Sequence, residues 1–304
     1  MHSICVTPKC LKAYRVPELL KPKVARQIQE LLDLGFIQLS DSDMASPTVC
    51  VLKGRQGENG VRLCCDYSYL NKYTPADSFP TSDIADVIHR VGKAFRISSW
   101  DTRSGYWQLI VNPKHRWLTA FVTDFGVFEW ATMPFGLKCA SNSFIRAIQQ
   151  VLQPIREFCD SYVDDLATYS TDWQFHLQHV RFFLKVMRES GLTLKLEKSK
   201  FAAPEITFVG HVIGSGRHGV DPLKVACVET MKPPTTKKEV RQVMGFFSYF
   251  CTYIDRFAEL PRPLTDLTKK QVQGRVQWTE VHQEAFDKLK KSVCDATKLR
   301  VITY

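Results

Sequence analysis

Apolar residues recur at the three- and four-residue spacing of a helix in three segments of the chain. This spacing predicts amphipathic helices over residues 24–34, 174–190 and 239–257. Gly35 and Gly191 follow the first two segments, and glycine commonly ends a helix because it adopts a left-handed backbone freely. The supporting apolar stripes are Val24, Ile28, Leu31 and Leu32 in the first helix, and Val240, Val243, Phe247 and Phe250 in the third.

Shorter apolar runs predict two strands, over residues 47–53 and 61–67. Between them, residues 54–60 hold three glycines and Asn59, which is typical of a loop that reverses the chain. The two strands and this loop predict a two-stranded flap. The chain contains no internal repeat and no low-complexity tract.

Two adjacent acids, Asp164 and Asp165, interrupt an apolar and aromatic run at residues 158–169. A continuous strand would send their side chains to opposite faces, and burying an unpaired carboxylate costs several kcal/mol. Both acids point past one edge if they lie at the tip of a hairpin, where hard divalent cations would neutralise them. The run therefore predicts a hairpin with a cation site at its tip.

Charge is distributed unevenly along the 304 residues, whose formal net charge is +10. Residues 181–304 hold 22 Lys and Arg against 13 acids, whereas residues 1–180 hold 19 against 18. The C-terminal part is therefore the expected phosphate-binding surface, and a merely solubilising excess of charge is the alternative. Candidates for backbone contacts there are Lys237, Lys238 and Arg241, with Lys269, Lys270 and Arg275 as a second set.

Composition favours a soluble protein of the cell interior. No apolar run approaches the roughly 18 residues of a membrane span, and no signal peptide opens the chain. The ten cysteines include no Cys-x-x-Cys pair and are expected to be reduced thiols, which predicts an intracellular, cytoplasmic location. His176 and His179 lack a nearby cysteine and are interpreted as a solvated helix face, not a zinc site.

Five ordered blocks carry a family resemblance. Residues 162–165, Tyr-Val-Asp-Asp, resemble the polymerase signature of reverse transcriptases. The other blocks are 61–72, 95–108, 130–144, and 191–201 with its continuation Phe208-Val209-Gly210-His211. Together they resemble the reverse transcriptase of gypsy-like LTR retrotransposons, the retrovirus-related Pol polyproteins, from about Tyr14 to about Trp278.

The resemblance implies an α+β polymerase right hand of fingers, palm and thumb, with an antiparallel palm sheet backed by helices. Residues 1–222 are expected to form fingers and palm, residues 223–277 a thumb-like helical region, and residues 278–304 the lead-in to a missing ribonuclease H domain. The chain is accordingly expected to be a polyprotein fragment or a decayed copy. Its expected partners are an RNA or DNA template with primer, dNTPs and other Pol domains, with no membrane.

The same resemblance assigns the metal-binding triad to Asp101, Asp164 and Asp165. Two Mg²⁺ ions, with Mn²⁺ as the alternative, would activate the primer 3′-hydroxyl and neutralise the leaving oxygen. Lys198 matches the general acid that protonates pyrophosphate. Lys195 and Lys200 are close enough in sequence to leave that assignment open.

The remaining site residues also come from the resemblance. Arg62 matches the flap arginine that contacts the triphosphate, and Lys53, or less clearly Arg55, is the flap's second cation. Tyr106 matches the steric gate that excludes ribonucleotides. Phe135 and Gly136 match residues under the new base pair. The primer grip is assigned to Phe208, Val209, Gly210 and His211.

Two positions depart from the family pattern, which has Asn where Cys139 stands and Arg where Ser68 stands. Neither is an expected metal ligand, but both favour a decayed copy. The preferred function is therefore an RNA-directed DNA polymerase, and the first alternative is a catalytically incompetent nucleic-acid-binding remnant. A metal-dependent phosphohydrolase is a third reading, although the Tyr106 and Phe135 blocks would have no role in it.

Overall fold

The fold is given by a computed structural model, which describes residues 6–52, 61–80, 83–254, 257, 259–269, 276–295 and 300–301. Within these residues the strands are β1 (Ile37–Leu39), β2 (Ser46–Leu52), β3 (Val61–Cys65), β4 (Arg96–Asp101), β5 (Phe121–Thr123), β6 (Gly126–Trp130), β7 (Cys159–Tyr162), β8 (Asp165–Ser170), β9 (Lys200–Ala203), β10 (Ile206–Phe208), β11 (His211–Gly214), β12 (Arg217–Val220) and β13 (Arg300–Val301).

The helices of the described residues alternate with these strands. They are α1 (Lys21–Asp33), α2 (Ser68–Tyr73), α3 (Ile84–Gly92), α4 (Ala140–Leu152), α5 (Trp173–Ser190), α6 (Pro222–Glu229), α7 (Lys237–Ser248), α8 (Arg262–Asp266) and α9 (Glu280–Asp295). None of the described helices is long and apolar enough to cross a membrane.

A four-stranded antiparallel sheet, in the order β7-β8-β4-β9, lies at the centre of the chain. Trp100 of β4 is almost fully buried and stacks on Phe183 of α5, with ring centroids 4.7 Å apart. Phe144 of α4 and Phe183 belong to the same apolar core, so α4 and α5 cover this sheet. The expected antiparallel palm sheet backed by helices is therefore present.

The N-terminal part folds around a five-stranded sheet in the order β1-β6-β5-β2-β3. Strands β2 and β3 pair antiparallel from Thr48↔Cys65 to Leu52↔Val61, as predicted for the flap. The loop predicted at 54–60, together with Lys53 and Arg55, lies outside the described residues. Helix α1 packs Val24, Ile28 and Leu31 into the core of this part, which confirms the first predicted stripe.

Three consecutive strands, β10, β11 and β12, form a second four-stranded sheet with the distant strand β13, next to a helical unit. Helices α6, α7, α8 and α9 share one apolar core, in which Phe247, Leu264, Phe286 and Leu289 are almost fully buried. Helix α7 begins with a capping box, because the Thr236 hydroxyl accepts from the Glu239 amide and the Glu239 carboxylate bonds back. The helix after Trp278 therefore packs with the thumb-like helices and not as a separate body.

Helix α7 ends at Ser248, nine residues before the end predicted from the apolar stripe. The chain bends at Tyr249 and continues as a short 3-10 turn, Cys251–Tyr253. Phe250 and Tyr253 are both buried on this bend. The prediction was wrong at this end because burial of these two rings is a tertiary contact that periodicity does not contain.

The interpretation of His176 and His179 as a solvated face was also wrong. His176 is buried on α5, where Nε2 bonds to the Ser98 hydroxyl and Nδ1 to the Ser170 hydroxyl, at 2.8 and 3.0 Å. His179 stacks on Phe158, and its Nδ1 also bonds to the Ser170 hydroxyl. The two histidines join α5 to β4 and β8, and no metal-ligating cluster occurs among the described residues.

Candidate active site

Two strands of the central sheet bring the three predicted acids to one edge. Strands β4 and β8 are antiparallel, and their register places Asp101 directly opposite Asp165. Asp164 lies in the tight turn between β7 and β8, because Tyr162 pairs with Asp165 and leaves only two residues to reverse the chain. Val163 carries the left-handed conformation of this turn, with φ of +56°. The hairpin predicted from the acid pair is therefore present, with both acids at its tip.

Lys198 lies over this edge. Its ammonium donates to Oδ2 of Asp101 at 2.8 Å, from a short 3-10 turn that immediately precedes β9. The Lys195 amide donates to the Asp101 carbonyl at 2.8 Å, which anchors the turn to the end of β4. The hydrogen bond and the negative charge of Asp101 raise the pKa of Lys198. Lys195 and Lys200 make no ion pair with a described residue, so of these three lysines only Lys198 contacts a triad carboxylate.

Asp165 is partly buried and lies close to the other two acids. Its pKa is raised, first by burial and then by the negative charges of Asp164 and Asp101. The Val209 amide donates a hydrogen bond to Asp165, which acts in the opposite direction, as does the positive charge of Lys198. A set of oxygen ligands with a surplus of negative charge is what a divalent cation would neutralise. The donor set therefore fits Mg²⁺.

The three carboxylates are close in the fold but are not arranged as a ready ligand cluster. Among the described residues, no group of three or more His, Cys, Asp or Glu side chains has a geometry that would hold a metal ion. One oxygen of Asp101 is occupied by the Lys198 ammonium instead. Metal binding at this edge therefore requires small side-chain rotations, including release or sharing of the Lys198 contact.

A cavity of about 840 Å³ opens on one side of the acids. It collects predicted residues from five separated parts of the chain: Arg62, Asp101, Tyr106, Phe135, Asp164 and Lys198 all line it. Arg62 comes from β3, where it pairs with Val51 of β2, so the flap contributes its arginine to the wall. The cavity is large enough for a charged ligand of nucleotide size.

Tyr106 is held in the wall of this cavity by packing and a hydrogen bond. Its ring lies 5.2 Å from that of Phe135 and 5.4 Å from that of Phe144, measured between centroids. Its hydroxyl bonds to the Ser141 hydroxyl at 2.9 Å. A Cβ at Gly105 would come within 2.8 Å of the Phe144 ring, so only glycine lets this segment pack so closely. The ring position of Tyr106 is therefore fixed on several sides.

Phe135 forms the neighbouring part of the wall, and Gly136 follows it in the chain. Phe135 is 49% exposed, which is unusual for so large an apolar ring and leaves it free to contact a ligand. Gly136 adopts φ of +95°, a conformation that strains other residues. The side-chain amide of Asn71 makes two hydrogen bonds in this region. Its Nδ2 donates to the Gly136 carbonyl at 2.9 Å, and its Oδ1 accepts from the backbone amide of Lys138 at 2.8 Å.

Asn71 was not predicted as a site residue, although it lies inside the 61–72 block that carries the family resemblance. It joins α2 to the loop that holds Phe135 and Gly136 through the two hydrogen bonds. A polar residue near the end of a short helix gives no sequence signal of a partner 65 residues away. Only the resemblance of the block as a whole could have pointed to it.

The four residues assigned to the primer grip form a tight hairpin. Phe208 of β10 pairs with His211 of β11, so Val209 and Gly210 make the turn, with φ of +49° and +78°. Tyr249 donates from its hydroxyl to the Gly210 carbonyl at 2.9 Å. This bond ties the end of α7 to the turn.

His211 is buried beneath the hairpin, with 7% of its surface exposed. Nδ1 bonds to the Tyr253 hydroxyl, and the ring stacks on both Tyr249 and Tyr253. Burial, and then the positive charges of Lys224 and His218, lower the pKa of His211 to about 4. Tyr249 and Tyr253 were not singled out from the sequence, because aromatic residues in a helical stripe are ordinarily core residues.

A second cavity, of about 410 Å³, opens on the other side of the acids. Its lining includes Asp101, Asp165 and Lys198, together with Thr207 and Phe208 of the hairpin. The carboxylates therefore lie on a ridge between two cavities. One is walled by the flap, Tyr106 and Phe135, and the other by the β10–β11 hairpin.

The basic candidates of the C-terminal part are partly engaged within the protein. Lys237 donates to the Lys269 carbonyl at 2.5 Å, and Arg241 lies 3.5 Å from the Thr268 carbonyl. Lys269 pairs with Asp266 at 2.8 Å. Lys238 makes no such bond within the described residues, and Lys270 and Arg275 lie outside them.

Comparison with known proteins agrees with this geometry. The family described as "Reverse transcriptase (RNA-dependent DNA polymerase)" matches residues 53–213. The chain is 33% identical over 301 residues to the retrovirus-related Pol polyprotein from transposon opus of Drosophila melanogaster, covering 95% of this chain and 30% of that protein. It is 31% identical over 287 residues to that from transposon 297 of the same organism, covering 93% and 27%.

Plant viruses also supply relatives. The enzymatic polyprotein of figwort mosaic virus is 33% identical over 279 residues, covering 90% of this chain and 41% of that protein. The chain thus spans less than half the length of these relatives.

Solved structures show the same fold. The foamy viral protease-reverse transcriptase dRH in complex with double-stranded DNA has a TM-score of 0.87 at 23% identity, covering 95% of this chain and 50% of that one. The foamy viral protease-reverse transcriptase in complex with an RNA/DNA hybrid has a TM-score of 0.85 at 23% identity, covering 95% and 39%. The expected right-hand polymerase fold is therefore confirmed. With five sequence blocks, the carboxylate ridge and matches over most of its length, the chain belongs to the reverse transcriptase family.

Proposed function

We propose that this chain is an RNA-directed DNA polymerase, which adds dNTPs to the 3′-hydroxyl of a primer paired with an RNA or DNA template. The observation that carries the proposal is the ridge formed by Asp101, Asp164 and Asp165 between two cavities. A polymerase must hold an incoming nucleotide on one side of its acids and a primer end on the other. A hydrolase needs only one such pocket.

The acids are the proposed ligands of two Mg²⁺ ions, with Mn²⁺ as the alternative. When bound, such ions lower the pKa of the attacking hydroxyl and neutralise the charge that develops on the leaving oxygen. Asp101 and Asp165 face each other across β4 and β8, and Asp164 extends the set from the turn. The raised pKa of Asp165 supports this role. Burial and the two neighbouring acids outweigh the positive charge of Lys198, so a bound cation would stabilise the ionised carboxylate.

Lys198 is proposed to protonate the departing pyrophosphate. Its ammonium is fully charged at neutral pH, because Asp101 raises its pKa. In the protein alone one N–H is given to Asp101. Transfer of the Asp101 oxygen to a metal would free that N–H to donate to a phosphate oxygen that gains charge as the bond breaks.

The larger cavity is the proposed nucleotide site. Arg62 would contact the triphosphate with its planar, forked guanidinium. Lys53, the second proposed flap cation, lies outside the described residues. Tyr106 would exclude a ribose 2′-hydroxyl by its fixed ring, and Phe135 with Gly136 would pack under the new base pair.

The smaller cavity and its hairpin are the proposed primer site. Phe208, Val209, Gly210 and His211 would position the primer end, and Phe208 lines the same cavity as Asp101 and Asp165. The foamy viral relatives were solved with double-stranded DNA and with an RNA/DNA hybrid, which supports a duplex ligand here.

The domain boundaries that the sequence resemblance implies are part of the proposal. Residues 1–222 would be fingers and palm, residues 223–277 the thumb, and residues 278–304 the lead-in to ribonuclease H. The other Pol domains of the longer relatives are proposed partners of this chain.

The test is primer extension by the purified chain on oligo(dT)-primed poly(rA), with Mg²⁺ and with EDTA. We expect extension that requires Mg²⁺, template and primer together. Tight binding of primer–template without extension would instead identify an incompetent nucleic-acid-binding remnant. Release of nucleotides without any template would identify a phosphohydrolase.

The two departures from the family pattern, Ser68 and Cys139, lie outside the lining of the two cavities at the acids. Ser68 donates from its hydroxyl to Asp66 at 2.5 Å, at the start of α2. Cys139 immediately precedes α4.

A further inference from the structure

We propose that Lys224 binds a backbone phosphate of the primer strand next to the 3′ end. Lys224 belongs to α6 and was not among the residues that the sequence pointed to. The inference rests on the proposed polymerase function, since it requires a primer at the β10–β11 hairpin. It adds a side-chain cation to a hairpin whose turn otherwise offers only backbone groups.

Lys224 is held directly at the turn of that hairpin. Its Nζ lies 3.8 Å from the centroid of the Tyr249 ring, which is the geometry of a cation–π contact. A Cβ built on Gly210 would come within 2.1 Å of Nζ and 2.9 Å of the Tyr249 hydroxyl. The missing side chain of Gly210 is therefore what allows the ammonium to lie against the turn.

The donors of this ammonium are not used by the residues that the structure describes. Across the described parts of the chain, no carboxylate forms an ion pair with Lys224 and no acceptor takes a hydrogen bond from Nζ. Lys290 offers a contrast, because it lies over Phe286 but also donates to the Glu229 and Met231 carbonyls. An ammonium that is held in place on an aromatic ring, and whose N–H groups donate to no described residue, can donate hydrogen bonds to an external anion.

The surroundings of Lys224 favour an anion as well. His211, which stacks on the same Tyr249 ring, has a pKa lowered to about 4 by burial and by the charge of Lys224, so it is neutral at pH 7. The hairpin itself reaches the active centre, since its Thr207 and Phe208 line the same cavity as Asp101 and Asp165. A phosphate on Lys224 would thus belong to a ligand that also approaches the acids, which is the position of the last few primer nucleotides.

The triphosphate of an incoming nucleotide has the same chemistry, but it is the less suitable source. Lys224 lines neither cavity, but it lies at the turn of the hairpin whose Thr207 and Phe208 line the smaller one, and no residue of that hairpin lines the larger cavity with Arg62 and Tyr106. The experiment therefore measures the primer and the nucleotide separately.

The test compares Lys224→Gln with Lys224→Arg and with Lys291→Gln. Lys291 is an exposed lysine of α9 in the same helical unit, so its replacement makes the same change in net charge. Dissociation constants for primer–template are measured over a salt series. We expect Lys224→Gln to weaken binding about fivefold and to reduce the slope of log affinity against log salt by about one. Lys224→Arg should retain most of both.

A primer with one uncharged methylphosphonate linkage locates the contact. The neutral linkage is moved through the four positions nearest the 3′ end. With the wild-type chain, one position should weaken binding as much as Lys224→Gln does. That position should cause no further loss in Lys224→Gln, although the other positions do.

Three results would overturn the inference. The first is equal primer–template affinity of Lys224→Gln and Lys291→Gln, and the second is the same methylphosphonate profile for wild type and Lys224→Gln. The third is a change in KM for dNTP in Lys224→Gln with unchanged primer–template affinity. Any of these leaves the polymerase function standing if the wild-type chain extends primers. Thermal melting of each variant separates lost contact from lost folding.

Discussion

Lys198 and Asp101 form an ion pair at 2.8 Å, and this pair connects the turn before β9 to the carboxylate ridge. The two residues are 97 positions apart in the chain. The contact distinguishes Lys198 from its neighbours Lys195 and Lys200, which the sequence left as alternatives. It also means that the proposed proton donor and a proposed metal ligand depend on each other.

The first prediction separates these three lysines. Lys198→Met should lower the single-turnover rate of extension about a hundredfold or more, because a general acid contributes a factor of that order. Lys195→Met and Lys200→Met should change the rate far less. Rapid-quench measurement at saturating dNTP tests this. A larger loss in either neighbour would move the general acid to that residue.

The second prediction concerns the acid ridge. Asp164→Asn and Asp165→Asn should each abolish Mg²⁺-dependent extension, since the metal site supplies several kcal/mol of transition-state stabilisation. Primer–template binding should persist. Asp43→Asn, a change of an exposed acid, serves as the control. Substantial residual extension by Asp164→Asn would contradict the triad assignment.

The third prediction concerns stability at the same ridge. The pKa of Asp165 is raised by burial and by Asp164 and Asp101, so its ionised form disfavours folding at neutral pH. Asp165→Asn removes that charge and keeps an oxygen that can accept from the Val209 amide. Its melting temperature at pH 7.5, without metal, should therefore exceed that of the wild type. A lower melting temperature would show that the carboxylate is stabilising.

The fourth prediction concerns sugar selection. Tyr106→Ala should raise incorporation of rNTP relative to dNTP by roughly tenfold or more, because the 2′-hydroxyl no longer meets the ring. Tyr106→Phe keeps the ring and loses only the hydroxyl bond to Ser141, so its ratio should resemble that of the wild type. Competition assays with paired nucleotides measure the ratio. An unchanged ratio in Tyr106→Ala would make this residue a packing residue.

The fifth prediction concerns pH. Burial lowers the pKa of His211 to about 4, whereas an unfolded histidine titrates near 6.5. The unfolded chain therefore binds more protons between these values, and stability is lost as pH falls from about 6.5 to about 4. A shift of this size corresponds to roughly 3 kcal/mol. His211→Phe should flatten this part of the curve of unfolding free energy against pH, measured by urea titration. An unchanged curve would place the titrating group elsewhere.

The basic N-terminus of α7 calls for a revised expectation about salt dependence. Lys237 and Arg241 lie against carbonyls at the end of α8, so replacing them is expected to affect stability as well as binding. Lys238 is the better single probe of phosphate contact. The tertiary structure changes the design of this experiment, although not the expectation that binding weakens with salt.

The sequence by itself determined the local elements and the family. Helices α1 and α5 and the strands of the flap follow from periodicity, and Gly35 and Gly191 adopt the left-handed backbone expected after a helix. The acid pair could be placed at a hairpin tip because no continuous strand accommodates two adjacent carboxylates. These inferences needed only short-range geometry and the energetic cost of burying charge.

Only the tertiary structure decided which distant residues meet. It buried His176 between two serines, ended α7 early at Tyr249, and placed Lys198 rather than Lys195 on Asp101. It also brought Asn71 to the loop of Gly136, and Tyr249 and Lys224 to the turn of the β10–β11 hairpin. Such contacts join residues that are tens of positions apart, and their free energy depends on packing and burial in the folded chain. Local periodicity carries no information about either.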